Sequence, residues 1–224
     1  TGSPIKGLQL SASEIRLAED FDAINKRIYQ EIAGVKGSKQ RAQLVRQLQG
    51  LGYPVDTIED IRQYFPHIEP LTREAFAPFG EVIETADARS FPINAGTTTR
   101  YHDLARVELA GEAPRTLINL FEGQAWHAPI EIRMLERHPL GSQAFYPVDG
   151  GRMLIVVAPP GELDESRIRA FVSAADQGIN YARGTWHHPL LSLQRPARFL
   201  VVDRGGNGHN CEERMLERPL QALL

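Results

Sequence analysis

From residue 67 onward the chain consists of short β-rich runs, and this pattern constrains the fold more than any other feature. The runs are FGEVIET, RTLINLFEG, IEIRMLERH, QAFYPV, GRMLIVVAPPG, GINYARG and ARFLVVDRG, punctuated by glycine, proline and aspartate. Short strands at such close spacing are typical of an antiparallel sandwich or a small barrel. We therefore predict a mainly β domain over residues 67–224, with short helices from about Glu74 to Phe79 and in the run DESRIRAFVSAADQ.

The first 66 residues have a different, helical pattern. Ser13 is a suitable N-cap, and apolar residues then recur at helical spacing at Ile15, Phe21, Ile24, Ile28 and Ile32. The runs SKQRAQLVRQLQGLG and DTIEDIRQYFP predict two further helices. Residues 1–66 thus form a predicted helical extension of unknown function. A helix-turn-helix is a possible arrangement, but no basic recognition face supports DNA binding.

The composition narrows the class of protein. The chain has 224 residues, of which 42% are hydrophobic and 24% charged, and its net charge is -3. These values are ordinary for a soluble globular protein, and we expect neither nucleic acid nor a membrane as a partner. No apolar run is long enough to span a bilayer. The single cysteine, Cys211, excludes an intrachain disulfide and favours a cytoplasmic location.

The segment ERHPLGSQAFYPVDG contains polar residues of the types that bind metals or transfer protons, within an otherwise apolar pattern. Glu136 and His138 are two apart, so they share one face of a strand, and Gln143 and Gly150 follow at fixed spacing. Polar groups that are buried on such a face need hydrogen-bond partners or a function. A second histidine-containing segment, ARGTWHH, ends in His187 and His188.

These two segments resemble the two signatures of the cupin barrels. The first signature has His, one residue, His, three or four residues, Glu, six residues and Gly; here Glu and Gln replace the first His and the Glu. The second ends in Pro-x-Gly-x-x-His, and here Ala182 replaces the Pro. The resemblance implies a cupin-type antiparallel β-barrel, a double-stranded β-helix, in which four side chains converge: Glu136, His138, Gln143 and His187.

Such a quartet can hold a divalent metal, with Ni or Mn preferred over Zn. Gln143 would be a weak ligand, so a metal-free site is an alternative. His188 either faces outward beside His187 or joins the site at a bulge.

Longer strings resemble the ureidoglycolate lyase family of cupin enzymes. They are IEPLTREAFAPFGEVIE, RYHDLA, ERHPLGSQAFYP, GINYARGTWHHPL and DRGGNGHNCEE, and they run from about Ile68 to Glu213. The resemblance implies an enzyme of allantoin and purine degradation that converts ureidoglycolate to glyoxylate and urea, and that is a homodimer. The helical extension has no counterpart in this resemblance.

The implied reaction needs a group to hold the carboxylate, a base for the hydroxyl proton and an acid for the departing nitrogen. The predicted catalytic residues are His138 or Glu136 as base and His187 or His188 as acid. The predicted substrate-binding residues, together with Gln143, are Arg100 as a carboxylate clamp, His102 at the mouth and Asp203. Arg100 could also be an ordinary surface arginine. Asp203 could orient a histidine, or cap the turn that follows it.

Three other functions remain open from the sequence. The chain could be a hydrolase that releases ammonia from ureidoglycolate, or a metal-dependent cupin enzyme that acts on another small hydroxy acid. It could also be a non-catalytic metabolite-binding cupin whose helical segment contacts DNA or a protein partner.

Overall fold

The computed structural model describes residues 66–128 and 130–222, and the isolated positions 42, 45, 46, 49, 56 and 57. The predicted helices of residues 1–66 lie outside the continuous described range, so the extension and its boundary with the β domain stay predictions. Among the described residues, no helix has the length and hydropathy that a membrane span requires.

The described chain is mostly β-strand. The strands are, in chain order, β1 (Ile68–Pro70), β2 (Gly80–Ile83), β3 (Ser90–Ile93), β4 (Thr98–Tyr101), β5 (Arg115–Gly123), β6 (Ala125–Trp126), β7 (Ile130–Arg137), β8 (Gln143–Pro147), β9 (Met153–Ala158), β10 (Arg169–Val172), β11 (Gly178–Tyr181), β12 (Trp186–His187), β13 (Leu191–Leu193), β14 (Ala197–Gly205) and β15 (Glu212–Ala222). One short helix, α1 (Arg73–Phe76), lies between β1 and β2, and the side chain of Thr72 caps its N-terminus.

Two sheets form the body of the domain. The larger sheet has the order β1-β10-β9-β12-β7-β15, with β13 beside β9 and β6 beside β13. The smaller sheet has the order β2-β11-β8-β14-β5. All pairings within these sheets are antiparallel except β1 with β10 and β6 with β13.

The two sheets enclose a shared apolar interior, to which residues from both contribute. The larger sheet supplies Ile155, Val157 and Phe171, and the smaller sheet supplies Phe145 and Phe199. The intervening residues of β9 pack into a second cluster on the other face of its sheet, so β9 is buried on both sides. The predicted antiparallel barrel of the cupin type is therefore confirmed.

The predicted helix in the run 164–177 is wrong. The side chain of Asp164 caps only one 3-10 turn, Glu165–Arg167, and the chain then enters β10. Because β10 lies between β1 and β9 and is largely buried, tertiary pairing overrides the local helical pattern. The other predicted helix, near Glu74 to Phe79, corresponds to α1, which is shorter.

A third, two-stranded sheet lies outside the barrel. It is the β3–β4 hairpin, and among the described strands its two strands pair only with each other. All four residues of β4 are exposed, including Arg100 and Tyr101. Asn94 and Ala95 take positive φ angles at the turn of the hairpin.

Candidate metal centre and its cavity

Strand pairing brings the two predicted signatures together. On neighbouring antiparallel strands, Glu136 of β7 lies directly opposite His187 of β12. Residues opposite one another in such a pair point to the same face. Oε1 of Glu136 is accordingly 3.6 Å from Nε2 of His187. His138 follows β7 immediately, and its ring centre lies 5.1 Å from that of His187.

Hydrogen bonds to backbone carbonyls determine which ring nitrogens carry protons. Nδ1 of His187 is 2.9 Å from the carbonyl oxygen of Thr185, and Nδ1 of His138 is 2.6 Å from that of Asn210. A carbonyl oxygen only accepts, so in each ring Nδ1 must donate. The neutral rings therefore present the lone pairs of their Nε2 atoms.

The atoms that face one another at this site are acceptors. Nε2 of His138, Nε2 of His187 and Oε1 of Gln143 are buried and have no hydrogen-bond partner among the described residues. The ligand atoms of Glu136, His138 and His187 all lie within 4.8 Å of one another. Lone pairs that converge without a donor repel each other unless a cation lies between them. The residues thus fit a divalent metal of intermediate hardness, held by two imidazoles and one carboxylate.

Burial shifts the pKa values of His187 and Glu136, the two site residues that lie on β12 and β7. It lowers the pKa of His187 to about 3, and the nearby His138 lowers it further, while the hydrogen bond to Thr185 opposes the shift. Burial also raises the pKa of Glu136, against the opposing effects of His138 and of a hydrogen bond from Cys211. His187 is therefore a neutral ligand at pH 7, and Glu136 binds a proton more readily than an exposed glutamate.

Tyr181 of β11 fixes the plane of the His187 ring. The two rings are stacked, with centres 4.2 Å apart and an angle of 15° between the planes. His187 is only 2% exposed, so it is held by this ring on one side and by strand pairing along its backbone. This packing leaves Nε2 with little freedom to turn away from Glu136.

A cavity of about 340 Å³ opens beside His138, and we call it the His138 cavity. Its walls come from the end of β7, the start of β8, the end of β14 and the loop before β15: His138, Ser142, Gln143, Asp203, Arg204, Gly208, His209, Asn210 and Cys211. The cavity would admit a molecule of a few heavy atoms and gives it access to His138 and Gln143.

Asp203 fixes the orientation of Gln143. Its carboxylate accepts hydrogen bonds from the side chains of Asn119 and Gln143, the former at 3.1 Å. The amide nitrogen of Gln143 is thereby occupied, and its oxygen is the atom left without a partner. Burial raises the pKa of Asp203, although these hydrogen bonds and nearby His138 oppose the shift. Asp203 thus orients Gln143, and it offers a carboxylate to the cavity.

Arg204 has a structural role, and its guanidinium is not free to bind a ligand. It is 7% exposed, and its guanidinium donates to the carbonyls of Ala110, Glu112 and Asn207. Gly141 permits this arrangement, because a Cβ atom there would lie 2.6 Å from Cβ of Arg204. Arg204 therefore joins the segment 110–112 to the loop that carries His209.

Asn210 belongs to the same loop and links it to His138. Its carbonyl accepts from His138, and its side-chain oxygen accepts from the backbone nitrogen of Leu140 at 2.7 Å. The loop 206–211 thus sets the tautomer of His138.

Three predicted site residues lie elsewhere in the subunit. Arg100 is on the exposed β4, and His102 lines a separate cavity of about 380 Å³ that includes Arg73 and Arg89. His188 is half-buried; its Nδ1 lies 2.9 Å from the carbonyl of Pro189, and it does not line the His138 cavity. Within one subunit, then, the structure brings together Glu136, His138, Gln143, His187 and Asp203, and it leaves Arg100, His102 and His188 outside the cavity.

Cys211 lies at the edge of the site. Its Sγ is 3.6 Å from Oε2 of Glu136, and Glu136, Cys211 and Glu213 form a second group of close potential ligands. Burial and the neighbouring carboxylates raise the pKa of Cys211, so the thiol keeps its proton.

Sequence reasoning missed Tyr181, Arg204, His209 and Asn210. Their roles depend on contacts between distant segments, such as the 72 residues that separate His138 from Asn210. The only available signal was that all four stand in strings that carry the family resemblance, Tyr181 in GINYARGTWHHPL and the other three in DRGGNGHNCEE.

Comparison with known proteins agrees with this architecture. A family model described as ureidoglycolate lyase matches residues 65–222. The chain belongs to the ureidoglycolate lyase family. The curated ureidoglycolate lyase of Burkholderia mallei (strain NCTC 10229) is 58% identical over 153 residues, which is 68% of this chain and 90% of that protein. The one from Brucella ovis is 58% identical over 146 residues, which is 65% and 86% of the two chains.

Among solved structures, a dTDP sugar isomerase from Desulfovibrio desulfuricans G20 covers 61% of this chain and 85% of its own. It is 14% identical, with a TM-score of 0.37. This similarity is too distant to bear on the site.

Proposed function

We infer that this chain is a ureidoglycolate lyase that eliminates urea from ureidoglycolate and leaves glyoxylate. The observation that carries the inference is the family match over residues 65–222, which spans the whole barrel. The His138 cavity supports it, because its size suits a small hydroxy acid and its polar walls suit proton transfer.

The reaction is a balanced elimination at one carbon. The hydroxyl O–H bond breaks, its electrons form the carbonyl of glyoxylate, and the C–N bond to the urea nitrogen breaks. The nitrogen must gain a proton as it leaves, since a urea anion is a poor leaving group. The site therefore needs a base near the hydroxyl oxygen and a proton donor near the nitrogen.

The buried acceptors are suited to hold a divalent ion. Glu136, His138 and His187 would bind it, with Gln143 as a weaker fourth ligand. Such an ion would polarise the substrate oxygens and make the hydroxyl more acidic. Ni or Mn suits this mixed nitrogen and oxygen set better than Zn.

We assign the two proton transfers to two other residues of the cavity, Asp203 and His209. Asp203 presents a carboxylate whose pKa burial raises, so it accepts a proton more readily than an exposed aspartate. His209, on the loop before β15, is exposed at the cavity wall and can donate a proton to the departing nitrogen. His187 is unsuited to the acid role, because its pKa of about 3 leaves it unprotonated.

We also propose that the enzyme is a homodimer. On the outer face of the smaller sheet, Leu120 of the edge strand β5 lies opposite Leu200 of β14, and Ile118 is nearby. Ile118 is 74% exposed and Leu120 is 65% exposed. We call these three residues the β5 surface. An exposed apolar surface on an edge strand is a typical subunit contact. We place the enzyme in the cytoplasm, which suits a sequence with a single cysteine.

A product assay tests the proposed function. Purified protein is incubated with racemic ureidoglycolate, either with a chelator or with added Ni or Mn, and urea, ammonia and glyoxylate are measured separately. The lyase produces urea and glyoxylate in equal amounts. Ammonia in place of urea would identify the hydrolase. No turnover under any condition would leave a metabolite-binding barrel.

Two variants separate the proton-transfer role from the metal-binding role. Asp203→Asn should retain Ni binding but lose turnover, because an amide cannot accept the hydroxyl proton. His138→Ala should lose both, because a ligand is removed. If Asp203→Asn kept full turnover, the assignment of Asp203 as base would be wrong.

A further inference from the structure

The His138 cavity has no free group of full positive charge to bind a carboxylate. Of the described residues that line it, only Arg204 is a lysine or arginine, and its guanidinium is bound to three backbone carbonyls. The side chains of Glu136 and Asp203 add negative charge nearby. A substrate carboxylate in this cavity would therefore find no free side-chain cation among the described residues, and an ion held by Glu136, His138 and His187 would be its one positive partner there.

The missing cation has to be an arginine if it comes from the barrel domain. The sequence contains no lysine after Lys39, so arginine is the side chain of permanent positive charge in residues 66–222. Arginine is also suited to a carboxylate, because its fork of donors binds both oxygens at once.

Two arginines at the β3–β4 hairpin are free to bind a carboxylate. The guanidinium carbons of Arg89 and Arg100 lie 5.8 and 6.0 Å from the ring centre of Phe91. Neither arginine forms an ion pair with any of the described residues. The aromatic ring holds the charged groups without neutralising them.

Strand pairing within the barrel does not include the β3–β4 hairpin. Its two strands pair with no other strand in the described part of the chain, and β4 is exposed along its whole length. A two-stranded hairpin alone is marginally stable in water, so it gains from a surface to pack on. The same subunit also leaves the β5 surface uncovered.

We propose that the hairpin of one subunit reaches the His138 cavity of a second copy, where Arg100 binds the substrate carboxylate. This rests on the proposed function, because ureidoglycolate supplies the carboxylate. A second copy accounts for three features of the described residues: the arginines without an ion pair, the cavity without a free arginine, and the exposed β5 surface. In a twofold dimer both cavities are completed in the same way.

Single variants give the first result. Arg100→Ala should lower kcat/KM roughly 100-fold, mainly through KM, because a charged two-pronged contact is lost. Arg89→Ala is the matched control, since it removes a guanidinium from the same Phe91 ring, and it should stay within about threefold of wild type. Full activity of Arg100→Ala would overturn the proposal.

Heterodimers decide which subunit Arg100 serves. Chains carrying His138→Ala and Arg100→Ala are co-expressed with different affinity tags, and the heterodimer is isolated on both tags. If Arg100 acts across the dimer, one of the two sites has both intact residues, and the heterodimer regains half of the wild-type activity. If Arg100 serves its own subunit, neither site is intact and no activity returns.

The inverse heterodimer is the control. A chain with both substitutions is paired with a wild-type chain. Action across the dimer leaves no complete site, so this heterodimer should be inactive. Half activity here, with none in the first heterodimer, would overturn the proposal.

A crosslink tests the contact without relying on activity. In a Cys211→Ser background, Tyr101→Cys and His209→Cys are introduced together and mild oxidant is added. Covalent dimers on a non-reducing gel are expected, whereas either substitution alone should give none. If no covalent dimer formed, the proposal would fail, whatever the product assay showed. Conversely, covalent dimers of the double-cysteine variant, together with a wild-type protein that turns over no ureidoglycolate, would refute the proposed function alone.

Discussion

The buried metal centre and the β3–β4 hairpin both carry candidate functional residues. The contacts within one subunit explain the positions of the residues in the metal centre, but not the role of those on the hairpin. Glu136, His138 and His187 are held by strand pairing, ring stacking and carbonyl hydrogen bonds, so their acceptor atoms converge before any ligand arrives. Arg100 has only an aromatic ring beneath it and solvent around it. The described residues of one barrel fit a cation by themselves, whereas we propose that binding of the substrate anion draws on a second copy.

The largest expected effect comes from the metal centre. His138→Ala should reduce kcat/KM on the order of 1,000-fold, because a ligand is lost from the all-acceptor cluster. Circular dichroism should be unchanged, since His138 is only half-buried and water can replace the ring. His127→Ala, at an exposed histidine between β6 and β7, is the control. Wild-type turnover in the His138 variant would show that the site lies elsewhere.

Arg204 should contribute mainly to stability, in contrast to Arg100. Arg204→Met leaves the carbonyls of Ala110, Glu112 and Asn207 without their donor, and we expect a loss of about 3 kcal/mol in urea unfolding. Arg100→Ala should change the unfolding free energy little, since its side chain is exposed. Equal destabilisation by both variants would remove the distinction between a structural and a ligand-binding arginine.

Dissociation of the dimer should reproduce the loss of Arg100. Ile118→Glu places a charge on the β5 surface and should give monomers by light scattering. If the hairpin acts across the dimer, those monomers should show the roughly 100-fold loss of kcat/KM expected for Arg100→Ala. The thermal midpoint is the control for folding. Fully active monomers would show that each barrel works alone.

The smallest expected effect is a pH dependence of stability. The pKa of His187 is about 3 in the folded protein, whereas an unfolded histidine titrates near its ordinary value. The unfolded state therefore binds the extra proton, and stability present above about pH 6.5 is lost as the pH falls toward 3. From pH 7 to pH 5 this one group should cost about 2 kcal/mol.

Urea unfolding in chelator measures this dependence, with His187→Gln as the comparison. The variant should show a shallower decline over the same interval, because it has no imidazole to protonate. Identical slopes for the two proteins would mean that the pKa of His187 is not lowered in the folded state.

Local sequence patterns predicted the strands whose residues alternate regularly. The bounds of β5 and β14 agree with the runs RTLINLFEG and ARFLVVDRG, and in β14 buried and exposed residues alternate from Ala197 to Val201. The longest strand, β15, was missed. Its run EERMLERPLQA is rich in charge, and its pairing with β7 shifts register between Met215 and Leu220. No local alternation survives such an irregularity.

The candidate site, too, has some contacts that the sequence predicted and others that it did not. The resemblance to the cupin signatures predicted that Glu136, His138 and His187 would meet, whereas strand geometry alone accounts for the shared face of Glu136 and His138. Neither predicted the carbonyl of Asn210 on His138, or the capture of Arg204 by three carbonyls. Those contacts depend on how loops from distant segments close over the barrel, and no local pattern encodes that closure.

The most direct test of this account is calorimetric titration of the metal-free protein with Ni²⁺, performed on the wild type, His138→Ala and Arg100→Ala. The account predicts one ion per chain in the wild type and in Arg100→Ala, and no specific binding in His138→Ala. Loss of binding in the Arg100 variant, or binding that survives in the His138 variant, would contradict the division between a metal centre built by one subunit and a substrate contact supplied by the other.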